Sequence, residues 1–197
     1  MDNIKTMRVV DLFAGTGAFS LAFHSSSNHK VKYRTVMAND YEKASQTIYK
    51  ENFPEENFVL ADINTIDTNS IPSHDILCGG FPCQPFSIAG EKKGFDDKRS
   101  NVFWKIIDII KHHNPEIVIL ENVKNLKSHD KGNTFKVIYK KLSDLGYYIK
   151  YNILNTSIIT EIPQNRERIY IVCFKDKEKY NKFDFKFKKK ETKKIKE

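Results

Sequence analysis

Cysteine is scarce in this chain, with three thiols in 197 residues, at positions 78, 83 and 173. An odd, sparse count makes no disulfide framework, which points to a reducing, cytoplasmic setting. Long apolar runs are lacking as well. None approaches the roughly 20 residues of a membrane span, so neither a transmembrane segment nor a membrane partner is expected. The stretch from Met1 to Thr6 leads straight into a strand-like run and holds no apolar signal-peptide core. Internal repeats and interior linkers are missing, and no second ligand pair at zinc spacing joins Cys78 and Cys83, so no metal site is expected. Acidic residues are in deficit, 25 against 33 lysines and arginines, giving a net charge of +8. That surplus favours polyanionic partners, nucleic acid first. Much of it lies beyond Lys175, where a solvated basic tail accounts for it equally well.

What is present is a soluble globular composition, 40% hydrophobic and 29% charged, in a chain long enough for one substantial core. Residues 1–174 read as a single domain and 175–197 as a basic C-terminal tail. Met7 to Phe13 reads as a buried strand ending at Ala14-Gly15-Thr16-Gly17, with a helix starting at Ala18. Strand, glycine turn and helix suggest a nucleotide-type cofactor site. The full dinucleotide fingerprint is missing, because Ser20 stands where its third glycine would be. A second strand, Tyr33 to Ala38, ends at Asn39-Asp40. Asp40 suits ribose hydroxyls by its position past the glycine turn, and it also suits the N-cap of a helix spanning Tyr41 to Asn52. Tyr41 offers a ring for an adenine or for the core. Phe58 to Leu60 is a short third strand, and Asp62 after it reads as an adenine contact or a turn aspartate.

A fourth strand, Asp75 to Cys78, opens into Gly79-Gly80-Phe81-Pro82-Cys83-Gln84-Pro85-Phe86-Ser87. Here Gly79 and Gly80 are expected to turn the backbone, and two prolines fix φ on either side of one thiol. A thiol held so at a strand end is a candidate nucleophile. Asn101 to His113 reads as an amphipathic helix with Val102, Ile106, Ile109 and Ile110 on its apolar face. The fifth strand, Glu116 to Leu120, ends in Glu121-Asn122-Val123, placing a carboxylate at a strand end. A helix over Gly132–Leu145 follows, with Gly146 as its C′ residue. Two further strands, Tyr147–Leu154 and Arg168–Phe174, flank the polar segment Ile162 to Arg168. Cys78 and Cys173 lie within strands and read as inert core thiols. Alternating strands and helices predict a doubly wound, mostly parallel α/β sheet.

Asp11 to Gly17, Gly80 to Ser87, Glu121 to Val123 and Gln164 to Arg168 resemble, in order and spacing, four motifs of the DNA (cytosine-5)-methyltransferases of the bacterial restriction–modification type. The likeness covers residues 7 to about 174. It implies a Rossmann-like methyltransferase fold, S-adenosylmethionine as cofactor with S-adenosylhomocysteine as product, and double-stranded DNA as partner. By the same resemblance Cys83 would add to C6 of a flipped-out cytosine. Glu121 would sit at N3 and the exocyclic amino group, Arg168 at O2, and Arg166 close to the site or to the DNA backbone. Phe13, Ala14, Gly15, Thr16, Gly17, Asp40, Tyr41, Asp62, Ile63 and Pro82 would hold the cofactor, and Gln84 and Ser87 would touch DNA. Ser87 to Ser100, with Gly90 and Gly94 as hinges, is similar to the loop that closes over the flipped base.

Relatives of this kind continue into a target-recognition domain and two further motifs that the sequence lacks. The expectation is a catalytic half, from a split enzyme with a second subunit or from a truncated one. Two other readings stay open. One is cytosine-5 methylation of transfer RNA, against which Ser87 after Phe86 is a small discriminator. The other is a non-catalytic regulatory subunit of the same fold.

Overall fold

A computed structural model describes residues 4–82 and 102–187. Cys83, Gln84, Ser87, the loop to Ser100 and the lysines beyond Phe187 lie outside the described residues. The chain forms two compact units, Met1–Ile119 and Leu120–Glu197.

In the first unit β1 (Lys5–Leu12) pairs in parallel with β2 (Val31–Asp40) and β4 (Ile76–Gly80), and β2 with β3 (Phe58–Leu60). The order is β3-β2-β1-β4. Val9, Val10 and Leu12 are buried on both faces of β1, which is why the strand reads as an unbroken apolar run. On one face Met7, Val9, Ile76 and Cys78 pack with Phe19 and Phe23 of α1 (Ala18–Ser26). A second cluster, Ala14, Ala38, Tyr49, Phe53 and Phe58, anchors α2 (Lys43–Asn52). Its rings stand at 4.9 Å centroid separations, Tyr49 to Phe53 and Tyr49 to Phe58, within the range where aromatic pairs attract. α3 (Val102–His113) buries Phe103, Ile106, Ile109 and Ile110, and β5 (Ile117–Val123) begins here. Cys78 and Cys173 are both fully buried, and burial pushes both thiols well above the usual range. They are the core thiols the sequence predicts.

The second unit holds the end of β5 and, in the order β5-β7-β6, an antiparallel hairpin of β6 (Tyr148–Asn155) and β7 (Glu167–Phe174). α4 (Asn133–Asp144) covers it with Phe135, Ile138 and Leu142, and Gly146 at φ 83° follows the helix end as predicted. A short α5 (Thr156–Ile159) follows β6. Past residue 174, α6 (Lys177–Lys182) and the segment after it lie on the hairpin. Tyr180 meets Tyr148 at 5.6 Å, Phe183 meets Phe174 at 5.2 Å, and the Lys150 ammonium donates to the Phe183 carbonyl. The mostly parallel α/β architecture is the one the alternation of elements predicts.

Three local expectations are corrected. Gly79 and Gly80 do not turn the backbone; they belong to β4, and neither has a positive φ. Gly79 is needed for close approach instead, because a Cβ there would stand 2.9 Å from the Leu12 carbonyl oxygen of β1. Asp40 is not the cap of a helix starting at Tyr41. α2 starts at Lys43 with Glu42 at the N-cap, and Asp40 ends β2. Glu121 lies inside β5 rather than after it.

Ser20, in place of a third glycine, has its own physical reason. Asp11 follows Met7 and Val9 on the α1-facing side of β1, where no water reaches it. Its Oδ2 accepts from the Ser20 backbone N–H at 3.2 Å and from the Ser20 hydroxyl at 3.0 Å. The Ser20 hydroxyl also meets the Tyr49 hydroxyl at 2.7 Å, Tyr49 donates to Glu56, and Glu56 meets His24 at 2.6 Å. A polar chain thus runs through the core, and a glycine would break it. Burial outweighs these bonds and raises the Asp11 carboxyl to about 7.

Two expected outcomes follow. Gly79→Ala should destabilise the fold by about 1–3 kcal/mol in urea unfolding, since the obstacle is backbone that cannot rotate away. Asp11 gives a pH dependence whose sign is set by linkage. Between the ordinary carboxylate pKa and about 7 the folded state keeps a proton that the unfolded state has lost, so stability falls as pH rises through that window. Asp11→Asn, unable to titrate, should show a flatter dependence of urea midpoint on pH from 4.5 to 7.5. A wild-type slope retained in the variant would rule out Asp11 as its source.

Candidate functional site

The turn after β1 is built from unusual backbone. Phe13 takes φ 57°, Gly15 φ 54° and Gly17 φ 95°. For Phe13 this left-handed conformation is strained. Gly17 is required twice over, because a Cβ would also stand 2.5 Å from the Phe53 ring. Asp40 holds this turn. Its Oδ2 accepts from the Gly15 N–H at 2.9 Å and its Oδ1 from the Glu42 N–H at 3.0 Å. Beside it the Ala14 N–H donates to the Asn39 carbonyl at 2.9 Å. The Asn39 side-chain amide donates to the Val59 and Ala61 carbonyls, at 2.9 Å each, and so ties the end of β2 to β3 and the residue after it. Asp62 caps a short 3₁₀ turn, its Oδ1 accepting from the Asn64 N–H at 2.9 Å and side-chain amide at 3.1 Å.

These strand ends surround a cavity of about 650 Å³, a size suited to a nucleoside-sized ligand. Phe13, Asp40, Tyr41, Asp62, Ile63 and Pro82 line it, six of the ten residues the resemblance assigned to the cofactor. Ala14, Gly15, Thr16 and Gly17 make the turn and are not among its lining residues. Sequence reasoning missed Asn39, Glu42, Ser45, Ala61, Asn64, Gly80 and Val102. Val102 was placed on the apolar face of its helix, and helical spacing alone does not separate a core residue from a cavity wall. Glu42 and Ser45 sit at the start of α2, two and five residues past Asp40, and the misplaced helix start hid them.

In the second unit Glu121 meets two arginines. Its Oε1 lies 3.1 Å from Arg168 Nε and 3.8 Å from Arg166 Nη2. Only 18% of the Glu121 side chain is exposed. Burial raises its carboxyl above the ordinary range, and the two guanidinium charges offset that only in part. Arg166, just before β7, is followed at two-residue spacing by Arg168 and Tyr170 within it, and the Arg168 guanidinium donates to the Glu167 carbonyl at 2.8 Å. Glu167 in turn pairs with Lys124 at 2.8 Å. Tyr170 was missed, although the i, i+2, i+4 spacing in a strand would have found it. Burial raises its phenol, with the Glu121 charge adding and the two arginines opposing. A mostly buried carboxylate with a raised pKa, oriented by fixed cations, can exchange a proton with a bound ring nitrogen.

Among the described residues no cluster of three or more His, Cys, Asp or Glu could hold a metal ion, and no helix is long and apolar enough to cross a membrane. The predicted nucleophile Cys83 and the predicted DNA contacts Gln84 and Ser87 lie outside the described residues.

The chain is 44% identical over 180 residues to the type II methyltransferase M.Bsp6I of Bacillus sp. (strain RFL6), covering 91% of this chain and 56% of that protein. It is 47% identical to M.HaeII of Haemophilus aegyptius and 42% identical to M.HhaI of Haemophilus parahaemolyticus, covering 88% and 91% of this chain and 52% of each relative. It therefore spans about half the length of the curated relatives it matches. Among solved structures, a DNMT2 mutant from Spodoptera frugiperda superimposes with a TM-score of 0.72 at 25% identity, over 96% of this chain and 55% of that one. A protein from Entamoeba histolytica, the methyltransferase EhMeth, gives 0.70 at 24%, over 96% and 58%, a likeness of fold. The family described as C-5 cytosine-specific DNA methylase matches residues 7–197. With that match, from the strand before the Phe13–Gly17 turn to the end of the chain, this protein belongs to the C-5 cytosine-specific DNA methylases.

Proposed function

We propose that the protein supplies the catalytic part of an enzyme that methylates C5 of cytosine in double-stranded DNA, with S-adenosylmethionine as methyl donor. The observation that carries this reading is Glu121, a mostly buried carboxylate with a raised pKa, met on one oxygen by Arg168 and Arg166. C5 of cytosine is not nucleophilic until C6 is attacked, and that attack needs a proton placed at N3 as charge moves there. Glu121 is the group suited to place it. Arg168 orients the ring through its O2 and keeps Glu121 aimed. Cys83 acts as the nucleophile, its thiolate forming a bond to C6, and leaves again when the C5 proton is removed. None of these ring atoms is reachable in a stacked duplex, so the target base is flipped out.

The cavity of the first unit fits an adenosyl group. Phe13 and Tyr41 offer ring faces, Asp62 a carboxylate for the adenine amino group, and the Asp40–Glu42 pair acceptors for the ribose. The bound cofactor supplies an electrophilic methyl group. Gly15 and Gly17 allow the backbone at the methionine end to stay close. Sequence-specific methylation needs, in this reading, a further part that carries target recognition, as a second subunit or as a continuation of the chain. DNA is preferred to RNA as substrate because the relatives at 42–47% identity are named type II methyltransferases.

Covalent trapping tests the chemistry. Incubated with S-adenosylmethionine and a duplex carrying 5-fluorocytosine, the protein should accumulate an adduct stable to denaturation, because the fluorine blocks the final elimination. Cys83→Ala should abolish the adduct, and Glu121→Gln should slow its formation by about 100-fold. Excess unlabelled transfer RNA should compete poorly. An adduct that persists in Cys83→Ala would show the nucleophile to be another residue, and preferential trapping on RNA would move the substrate to that class.

A further inference from the structure

We infer that Lys124 is a positioning residue: by occupying Glu167 it keeps that carboxylate from competing with Glu121 for Arg166. The inference deepens the methylation reading and rests on it, because Glu121 is the acid whose surroundings Lys124 protects.

Two acids and three cations meet where β5 ends and β7 begins. Glu167 stands between Arg166 and Arg168 in the chain. Arg168 is settled by direct bonds. Its Nε lies 3.1 Å from Glu121 Oε1, its Nη1 donates to the Glu167 carbonyl at 2.8 Å, and only 23% of its side chain is exposed. Arg166 is held more loosely. Its Nη2 stands 3.8 Å from the same Glu121 oxygen, beyond hydrogen-bond length, and 48% of its side chain is exposed. Its backbone is fixed, the N–H by the Gln164 carbonyl at 2.9 Å and the carbonyl by the Thr156 N–H at 3.0 Å. The side chain alone therefore decides which acid it serves.

Lys124 removes that choice. Its Nζ lies 2.8 Å from Glu167 Oε2, so the acid beside Arg166 already has a cation. The lysine opens the 3₁₀ turn Lys124–Lys127 directly after β5, and Leu126 of that turn is fully buried and anchors it. Glu167 is placed by the sheet, as the first residue of β7 opposite Asn155 of β6. A partly exposed ion pair adds little to stability. Its effect here is on which charge faces which. The groups left facing Glu121 are Arg168, Arg166 and Tyr170. Without Lys124, Glu167 would stand unpaired next to the least committed arginine and would draw it from the more buried acid.

A mutant cycle read at Glu121 separates this role from a simple addition of charges. The full chain is isotope-labelled at its glutamate side-chain carboxyls and titrated by carbon NMR, the Glu121 signal being the one lost in Glu121→Gln. Arg166→Met should raise the pH midpoint of Glu121 by about half a pH unit, the size expected of a partly exposed ion pair. In a Lys124→Met background the same Arg166→Met should leave the midpoint where it is, because the arginine has already turned away. Adding Glu167→Gln to Lys124→Met should restore the full effect, and Lys124→Arg should keep it. Equal shifts from Arg166→Met with and without Lys124 would mean that the charges merely add, and would overturn the assignment. So would failure of Glu167→Gln to restore the effect, or no effect of Arg166→Met in the wild-type background. The titration uses neither cofactor nor DNA, so its result is independent of covalent trapping. In trapping, Lys124→Met should slow adduct formation about threefold and Glu167→Gln should recover it. Absence of any adduct in wild type would overturn the methylation reading and leave the charge assignment to the titration.

Discussion

The carboxylate of Asp40 is the interaction on which the first unit's ligand cavity depends. One oxygen holds the Gly15 amide and the other the Glu42 amide, so a single side chain joins the turn after β1 to the start of α2. Those two segments follow neighbouring parallel strands that stay paired as far as Leu12 and Asn39. Charge-assisted bonds to backbone amides are stronger than neutral ones, and here they hold a turn with three residues at positive φ. The aromatic cluster beneath, Tyr49, Phe53 and Phe58, supplies apolar burial. Gly17 is the point where the two requirements meet, left-handed on the backbone side and pressed by Phe53 on the other.

Much of this was legible in the sequence. The β1 run, its glycine turn and the strands β6 and β7 follow from apolar periodicity and punctuation alone, and their ends fall within a residue or two of the expectation, whereas the antiparallel pairing of β6 with β7 was not read. Glycines were read less well. Gly79 and Gly80 were taken for turn residues, and the sequence gives no means of knowing that the Leu12 carbonyl lies where a Cβ would go. Steric demand from a neighbouring strand is a property of register, and register is settled by the whole sheet. Asp40 was read as a cap or as a ligand contact. Its actual partners are amides 25 residues earlier and two residues later, and only the second of these is local. The Ser20 substitution looked like a defect in a fingerprint until Asp11, Tyr49 and Glu56 were seen around it.

The Glu121 cluster shows how side chains of neighbouring strands tune an acid. Burial favours the proton and the arginines oppose it, so the balance depends on how tightly Arg168 is held. Two neighbours hold it, the backbone carbonyl of Glu167 and the Glu121 carboxylate oxygen. The carboxylate at position 121 was legible as a strand-end acid. Its burial and the order of its partners were not, because those depend on which faces of β5 and β7 their side chains occupy.

Phe13 has a consequence of a different kind. A left-handed phenylalanine is a conformation that glycine would adopt without strain, at a saving on the order of 1 kcal/mol. The chain keeps a ring there instead, on the wall of the cavity. Among the described residues of the first unit, this is a position where backbone comfort and a cavity wall demand opposite residues, and the residue present sides with the wall. Stabilising this protein by relaxing that turn would therefore be easy, and would erode the wall that the turn exists to present.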